Sequence, residues 1–432
     1  MRLRDLAAFG RALAALTTLL VGIGFGLALG WLAFSPPPVV EPPSAVLPEP
    51  APPVPSGEPA PERLTLAAAA FTERPGWTDD AHEAALGALK RSCARMLRLG
   101  AERPLMPEVS GVGFGTGAAW RLACAELAMF LPDEPAGVRA WLERRFRPWR
   151  IAGRDGPEGL FTGYYEAELR GARARSDVYR HPVYGRPADL IQVDLGLFSE
   201  RLKGRRITGR VDGMALKPYW TRAEIEAGAL GGRGLELLWT DSAVDVFFLH
   251  VQGSGRIALD DGTVARVGYA AQNGRDYLAI GRALIDRGAL PRENVTMQSI
   301  RAWLAEHPDE AETVMNLNPS YVFFRELAPA RDGADGPLGA EGVALTPERS
   351  LAVDRAFLPM GLPLWLDLAH ALPADGTVRR LVVAQDTGGA IKGPVRGDFF
   401  WGHGPRAYEM SGRMKARGGY WALIPVADGA AD

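Results

Sequence analysis

The longest uncharged stretch of the sequence sets the first limit on what this chain can fold into. No residue from Ala12 to Phe34 is charged, and this run exceeds the roughly 20 residues that span a bilayer. Arg2, Arg4 and Arg11 precede it, so the positive-inside rule predicts a cytoplasmic N-terminus and an exported remainder. We therefore expect an uncleaved membrane anchor over residues 1–34, and the alternative is a signal peptide removed after export.

A proline-rich segment follows the apolar run. Ser35 to Glu62 contain 12 prolines in 28 residues, with four Glu and no Lys or Arg. Such a composition cannot form a core and is typical of an extended spacer. We expect the folded part to begin near residue 63 and to end near residue 428.

Charge and composition exclude several classes of function. The net charge of −2 gives no global basic field, so we expect no nucleic-acid partner. Six His and two Cys are too few and too scattered for a zinc module, so we expect no metal and no cofactor. The chain also lacks the P-loop pattern and the G-x-S-x-G pattern of a serine hydrolase.

The periodicity predicts helices first and short strands afterwards. The predicted helices cover residues 78–98, 117–131, 138–146, 276–287 and 297–306. The predicted strands cover residues 160–166, 246–252, 321–325, 362–366, 381–385 and 419–424. Residues 327–352 are rich in Gly, Pro, Asp and Ala and read as a surface connection. This pattern favours an α+β fold that is mainly β.

The two cysteines lie on apolar stripes of neighbouring predicted helices. Cys93 is on the first helix and Cys124 is on the second. In an oxidising compartment they could form a disulfide. The alternative is two free thiols in the core.

Carboxylate chemistry is the remaining candidate for catalysis, and Asp398 is its strongest residue. Asp398 precedes Phe399, Phe400 and Trp401. A carboxyl group against aromatic surface loses solvation, which should raise its pKa and keep it protonated as a general acid. Lys392 nearby would oppose this effect.

Two other aspartates have simpler interpretations. Asp386 opens the turn Thr387-Gly388-Gly389, where Asp is a good turn former. Asp354 could pair with Arg355. An aspartic-protease site needs two carboxylates, and no second Asp-Thr/Ser-Gly triplet is present.

Five blocks of the sequence, in order, closely resemble the membrane-bound lytic murein transglycosylase A family of Gram-negative bacteria. They are FTGYYEAELRGAR (161–173), FFLHVQGSGRI (247–257), NPSYVFFRE (318–326), LAVDRAFLPMGLPLWL (351–366) and QDTGGAIKGPVRGDFFWG (385–402). The last two resemble the 3D domain, which is named for three aspartates. In this chain they match Asp354, Asp386 and Asp398.

The resemblance implies a fold. The catalytic domain would be a double-psi β-barrel made of residues 63–168 and 320–428. A second β-rich domain, residues 169–319, would be inserted between them and would bind substrate, with the groove between the two domains.

The resemblance also implies an activity. The enzyme would be an exolytic transglycosylase, a lyase that cleaves the β-1,4 bond between N-acetylmuramic acid (MurNAc) and N-acetylglucosamine (GlcNAc) without water and leaves a 1,6-anhydro end. Asp398 would act as the single acid and then as the base, with Asp386 and Asp354 in support. The alternatives are a peptidoglycan or glucan hydrolase on the same barrel and a non-catalytic glycan-binding module.

The expected partners and location follow from the same resemblance. The partners would be peptidoglycan glycan strands, the membrane through the N-terminal helix, and cell-wall synthesis complexes. The catalytic domain would be periplasmic and anchored to the inner membrane, or exported after signal cleavage.

The expected groove residues supply hydroxyls, aromatic faces, an amide, a cation and accessible backbone: Thr162, Tyr164, Tyr165, Gln252, Gly253 and Lys392. Plain strand packing is the alternative for Tyr164. Gly253 and Gly255 would let a glycan approach the backbone, or they mark a β-bulge.

Overall fold

The structure, a computed structural model, describes residues 62–129, 135–328, 336–372 and 376–426. The predicted anchor and almost all of the proline-rich spacer lie outside the described residues. Among the helices within those ranges, none has the length and hydropathy that a membrane crossing requires.

The described part is mainly β, as the sequence predicts. Its main helices are α1 Leu86–Met96, α2 Gly117–Met129, α3 Pro135–Arg145, α4 Ala243–Gln252, α5 Ile280–Asp286, α6 Met297–Glu306, α7 Pro308–Asn316 and α8 Gly404–Arg413. Its strands are β1 Thr65–Ala68, β2 Phe146–Ala152, β3 Gly159–Tyr164, β4 Ala167–Ala172, β5 His181–Tyr184, β6 Ile191–Asp194, β7 Arg206–Asp212, β8 Ala215–Pro218, β9 Glu236–Thr240, β10 Ser254–Leu259, β11 Val264–Gln272, β12 Val322–Leu327, β13 Ser350–Val353, β14 Pro363–Leu372, β15 Gly376–Asp386, β16 Arg396–Phe400 and β17 Lys415–Pro425.

Six strands close into a barrel. Their order is β17-β14-β15-β13-β16-β3, and β3 pairs back onto β17 to complete the ring. Two of the pairings are parallel, β13 with β15 and β16 with β3. Phe161, Leu351 and Phe399 are fully buried. Because side chains alternate along a strand, the residues next to them point out of the barrel.

A second sheet is built from the middle of the chain. Its strand order is β12-β11-β10-β4-β9-β5, and a separate sheet of β6, β7 and β8 accompanies it. Strand β12 belongs to this second sheet, so the predicted return of the chain to the barrel at residue 320 is placed too early. The chain passes from barrel to second sheet between Tyr164 and Ala167, where Glu166 N–H donates to the Gly402 carbonyl.

Helices α1 and α2 pack together, and Cys93 forms a disulfide with Cys124 across them, with 5.2 Å between the Cα atoms. Helix α1 is shorter than predicted and begins only at Leu86. Before it, two short 3₁₀ turns cover Trp77–Asp79 and His82–Ala85, and Asp80 between them is bound to Arg349 and to the Leu381 N–H.

The prediction of a strand over residues 246–252 is wrong, because this segment is helix α4. A short apolar run fits either a buried strand or a buried helix, and the caps decide. The Ser242 hydroxyl accepts a hydrogen bond from Asp245 N–H at 3.1 Å and starts the helix. Gly253 ends it in the left-handed conformation, at φ 79°.

Two further predictions need correction. The predicted helix 276–287 is helical only from Ile280 to Asp286, because side chains of Asn273 and Asn318 hold the preceding loop through its backbone N–H groups. The predicted surface connection 327–352 ends in β13, a central barrel strand, and Leu345 and Ser350 within it are fully buried.

Candidate active site

Four neighbouring barrel strands place a row of side chains on the outer face. Asp386 on β15 is in register with Ala352 on β13, Ala352 with Asp398 on β16, and Asp398 with Thr162 on β3. Cross-strand partners point to the same side of a sheet. The two aspartates are therefore two strand spacings apart, about 10 Å between Cα atoms, with the small Ala352 side chain between them.

Asp398 is half-buried and weakly held. The Thr162 hydroxyl donates to its Oδ1 at 2.6 Å, and within the described part of the chain this is the one hydrogen bond that the carboxyl group receives. Loss of solvation raises the pKa of Asp398 to about 6, although the Thr162 hydrogen bond and the charge of Arg396 act in the other direction. Asp398 can therefore exchange a proton near neutral pH.

Asp386 differs because both of its oxygens are occupied. Oδ1 accepts hydrogen bonds from the N–H groups of Thr387 and Ala340, each at 2.9 Å, and Oδ2 accepts one from the Tyr164 hydroxyl at 2.9 Å. Burial raises the pKa of Asp386, and the three hydrogen bonds oppose that rise. The carboxyl group closes the turn, as its sequence context predicts. It also fixes the Tyr164 side chain through the hydrogen bond from the phenol hydroxyl.

Of the other predicted groove residues, Tyr165 and Gln252 join the two sheets. The Tyr165 ring is 5% exposed and packs edge-on against Tyr408. Its backbone N–H donates to Gln252 Oε1 at 3.0 Å, so this amide oxygen is already in use.

Of the two glycines, only Gly253 has open space where a side chain would be. At Gly255 a Cβ would lie 2.5 Å from Leu249 Cδ1 and 2.9 Å from the Ala167 carbonyl oxygen, so close packing explains that glycine.

Asp354 and Lys392 lie in the turns around the row. Asp354 is buried and accepts hydrogen bonds from the N–H groups of Ala356 at 3.0 Å and Gly393 at 2.8 Å, which makes it a turn residue rather than a partner of Arg355. Lys392 is exposed, and the cation that acts on Asp398 is Arg396.

Three residues near the row were not predicted. Arg396 Nη2 donates to Thr162 Oγ1 at 2.9 Å, which orients the hydroxyl toward Asp398. Lys415 on β17 continues the row beyond Thr162. The charge of Asp398 also contributes to the raised pKa of Tyr277 in the second-sheet part of the chain, although burial is the larger cause.

A sequence signal existed for only one of these residues. Arg396 precedes Asp398 by two positions in one strand, so both side chains share a face. No local pattern connects Lys415 or Tyr277 to Asp398.

Chemically, the row offers one exchangeable proton beside a fixed carboxylate. Asp398 can give and retake a proton, while Asp386, held by three donors, can stabilise positive charge that develops nearby. Among the described residues, no group of three or more His, Cys, Asp or Glu side chains is arranged to hold a metal ion.

Comparison with known proteins first defines a class. Residues 349–424 match the 3D domain, and residues 160–325 match the MltA specific insert domain. The barrel with its row of aspartates thus belongs to proteins in which a 3D domain is combined with this insert.

Similarity to individual proteins identifies the family within this class. A membrane-bound lytic murein transglycosylase A from Vibrio cholerae is 36% identical over 272 residues, which is 61% of this chain and 65% of that protein. The solved structure of a membrane-bound lytic murein transglycosylase from Agrobacterium tumefaciens is 34% identical with a TM-score of 0.73, over 84% of this chain and 98% of that one. E. coli MltA with bound chitohexaose is 29% identical with a TM-score of 0.55, over 72% of this chain and 83% of that one.

The chain belongs to the lytic murein transglycosylase A family, as the resemblance of its five sequence blocks predicts. It spans slightly less than two thirds, 65%, of the length of the Vibrio cholerae relative.

Proposed function

We propose that this protein is a lytic transglycosylase that cleaves the β-1,4 bond between MurNAc and GlcNAc in peptidoglycan. The observation that carries the proposal is Asp398, a half-buried carboxyl group with a pKa near 6 and a single hydrogen bond, on the outer face of the barrel. The family supports the substrate class, since its members are named for murein and one was solved with a bound chitohexaose.

The reaction uses Asp398 twice. Its protonated carboxyl group donates the proton to O4 of the leaving GlcNAc as the C1–O4 bond breaks. The resulting carboxylate then accepts the proton of the MurNAc C6 hydroxyl, whose oxygen forms a bond to C1. The attack is intramolecular, so it benefits from a high effective concentration, and neither water nor a second nucleophile is consumed.

Asp386 does not transfer a proton in this proposal, and Tyr164 helps to fix its position by donating a hydrogen bond to Oδ2. The hydroxyl of Thr162, not Asp386, orients Asp398. The Asp386 carboxylate is fixed by three donors and stabilises the positive charge that develops on the sugar ring in the transition state. The proposal keeps five further residues in or next to the groove: Thr162, Tyr165, Gln252, Gly253 and Lys392.

The finer architecture is also a proposal. Its support is the closed ring of six strands with two parallel pairings, β13 with β15 and β16 with β3, which suits a double-psi barrel. The second sheet serves as the substrate-binding domain across the groove.

The proposed location follows from the N-terminal segments. Residues 1–34 anchor the enzyme to the inner membrane, residues 35–62 act as a spacer, and the catalytic part is periplasmic. Contact with cell-wall synthesis complexes stays a prediction.

Product analysis tests the proposed reaction. Incubation of the enzyme with purified sacculi should release muropeptides with 1,6-anhydroMurNAc ends, each one water lighter than a hydrolysis product. Mass spectrometry of the digest separates the possibilities. Products that contain the extra water would identify a hydrolase, and binding without release would identify a glycan-binding module.

The pH dependence follows from the role of Asp398 as the initial acid. The protonated fraction of this group falls above a pKa of about 6, so kcat/KM should decrease above that pH toward tenfold per pH unit. The initial rate of sacculus solubilisation across the pH range 4.5–8 measures this alkaline limb.

A matched pair of variants assigns the limb to Asp398. The Thr162 hydrogen bond stabilises the Asp398 carboxylate, so Thr162→Val should move the limb to higher pH by up to about one unit. Thr162→Ser keeps the hydroxyl and should leave the limb in place. A limb that does not move in Thr162→Val would belong to another group.

A further inference from the structure

A charged cavity lies on the second sheet, outside the row of aspartates. Its volume is about 760 Å³. Three arginines and three acidic residues line it: Arg170, Arg256, Arg301, Glu168, Asp241 and Asp245. The formal charges cancel, so the cavity does not favour a polyanion and suits a ligand that carries both signs.

Two of these arginines have acidic partners inside the cavity. Arg170 Nη2 lies 2.6 Å from Asp241 Oδ2, and Arg301 donates to Asp245. Their charges are neutralised within the wall.

Arg256 is the exception. Its Nη1 is buried and has no hydrogen-bond partner among the described residues. The nearest carboxylate oxygen, Glu166 Oε2, is 3.8 Å away, beyond hydrogen-bond reach. Glu166 is fully buried, and its Oε1 accepts both hydrogen bonds from Arg266, at 3.0 and 3.1 Å. Its Oε2, which faces Arg256 Nη1, has no hydrogen-bond partner among the described residues either. Glu166 therefore balances the charge of Arg256 on the buried Nη1 side. Nε and Nη2 of Arg256 make no hydrogen bond with a described residue, so they remain as donors for a ligand.

The strand register directs Arg256 toward the cavity. Glu168, Arg256 and Arg266 are cross-strand partners on β4, β10 and β11, and so share one face of the sheet. Leu169, Ala258 and Val264 add apolar surface to the cavity wall. Glu168 Oε1 is 3.5 Å from Nδ1 of His403, which follows β16, so the cavity begins where the catalytic barrel meets the second sheet.

We propose that this cavity binds a free carboxylate of the peptide attached to MurNAc, with Arg256 as the anchor. The inference rests on the proposed function, which supplies a substrate with that peptide. An arginine with an unused donor fits a carboxylate through charge-assisted hydrogen bonds. Glu168, the acidic residue of the wall without an arginine partner among the described residues, receives the free amine of the peptide, and the apolar surface accommodates its alanines. The glycan is then held at the row of aspartates and the peptide in this cavity.

Isothermal titration calorimetry of the full chain with the free murein tetrapeptide tests the proposal. The tetrapeptide should bind, and its fully amidated form should bind at least about tenfold more weakly. Arg256→Gln should weaken binding of the tetrapeptide by a similar factor. Ala258→Glu, which adds a carboxylate at an exposed position of the wall, should do the same without replacing Arg256. Arg282 forms an exposed ion pair with Asp286 on α5, outside the cavity, so Arg282→Gln should leave the affinity for the tetrapeptide unchanged.

The outcomes separate this inference from the proposed function. Equal affinity for the free and amidated peptides, or unchanged affinity in Arg256→Gln and Ala258→Glu, overturns the site. Because the titration needs no cleavage, it can be repeated in Asp398→Asn, which should bind the peptide like wild type. If anhydro products form but the peptide does not bind, only the peptide site is wrong. If the peptide binds but no anhydro products form, only the proposed reaction is wrong. Arg256→Gln should also slow digestion of intact sacculi while leaving peptide-stripped glycan unaffected.

Discussion

Replacing Asp398 with Asn should lower the release of anhydro-muropeptides by at least about a thousandfold, because the same carboxyl group supplies the proton and later removes one. An amide can do neither. The substitution keeps the size of the side chain and its place beside Thr162, so binding of glycan should persist. The measurement is the initial rate of product formation from sacculi, read by mass spectrometry.

The same variant should remain folded. The pKa of Asp398 is raised in the folded protein, so its ionised form is disfavoured there and costs stability above the pKa of the unfolded chain. Neutral Asn removes that cost, and at pH 7 the unfolding temperature should be equal to or above that of wild type. A loss of activity with this result is chemical rather than structural.

Asp367→Asn is the matched control on the same barrel. Asp367 lies on β14 and pairs with Arg379, outside the row of aspartates. Its variant should retain full activity. If Asp398→Asn kept more than about a tenth of the wild-type rate, the acid would lie elsewhere, and Asp386 would be the next residue to replace.

Replacing Asp80 with Ala should destabilise the fold by about 3–5 kcal/mol, since it leaves the buried charge of Arg349 without its carboxylate, with the carbonyl oxygens of Ala81 and Leu381 as its remaining acceptors. Arg349 and Asp80 form a bidentate pair at 2.7 and 2.8 Å, with 7% and 5% of their side chains exposed. Asp80 also accepts the Leu381 N–H at 2.9 Å, which would be orphaned as well. Chemical denaturation of wild type and variant at pH 7 measures the difference.

This ion pair matters for the site because of where it is. Arg349 directly precedes β13, and Leu381 is in β15, so the pair joins the two strands that carry Ala352 and Asp386. We expect the destabilised variant to lose activity in proportion to the fraction unfolded.

An exposed ion pair provides the comparison for Asp80. Glu200 and Lys203 are 77–81% exposed, and Glu200→Ala should change stability by less than about 0.5 kcal/mol. A loss below about 1 kcal/mol in Asp80→Ala would mean that Arg349 regains water or another partner. In that case Arg349→Leu in the same background should bring no recovery, whereas a stranded charge predicts partial recovery.

Much of this molecule can be predicted from local sequence. Apolar alternation identifies most barrel strands, and helical periodicity identifies α2, α3 and α6, because burial of one face repeats every two residues in a strand and every 3.6 in a helix. The five sequence blocks identify the family. The aromatic residues after Asp398 indicate a carboxyl group with a raised pKa, and the structure raises it to about 6.

Local sequence fails where two segments with the same pattern differ only in their ends. Residues 246–252 are as apolar as a buried strand, and the Ser242 cap and Gly253 make them a helix. The run 327–352 has the composition of a loop, yet its end enters the barrel.

The sequence by itself therefore determined most of the barrel strands, which family the chain belongs to and which aspartate is followed by aromatic residues. Only the tertiary structure decided what each aspartate contacts. Strand register placed Asp386, Ala352, Asp398 and Thr162 in one row, although up to 236 positions separate hydrogen-bonded members of it. It also made Arg396, rather than Lys392, the cation that acts on Asp398. The physical reason is that pKa values and hydrogen bonds depend on distances of a few ångströms, which are set by pairing between strands remote in sequence.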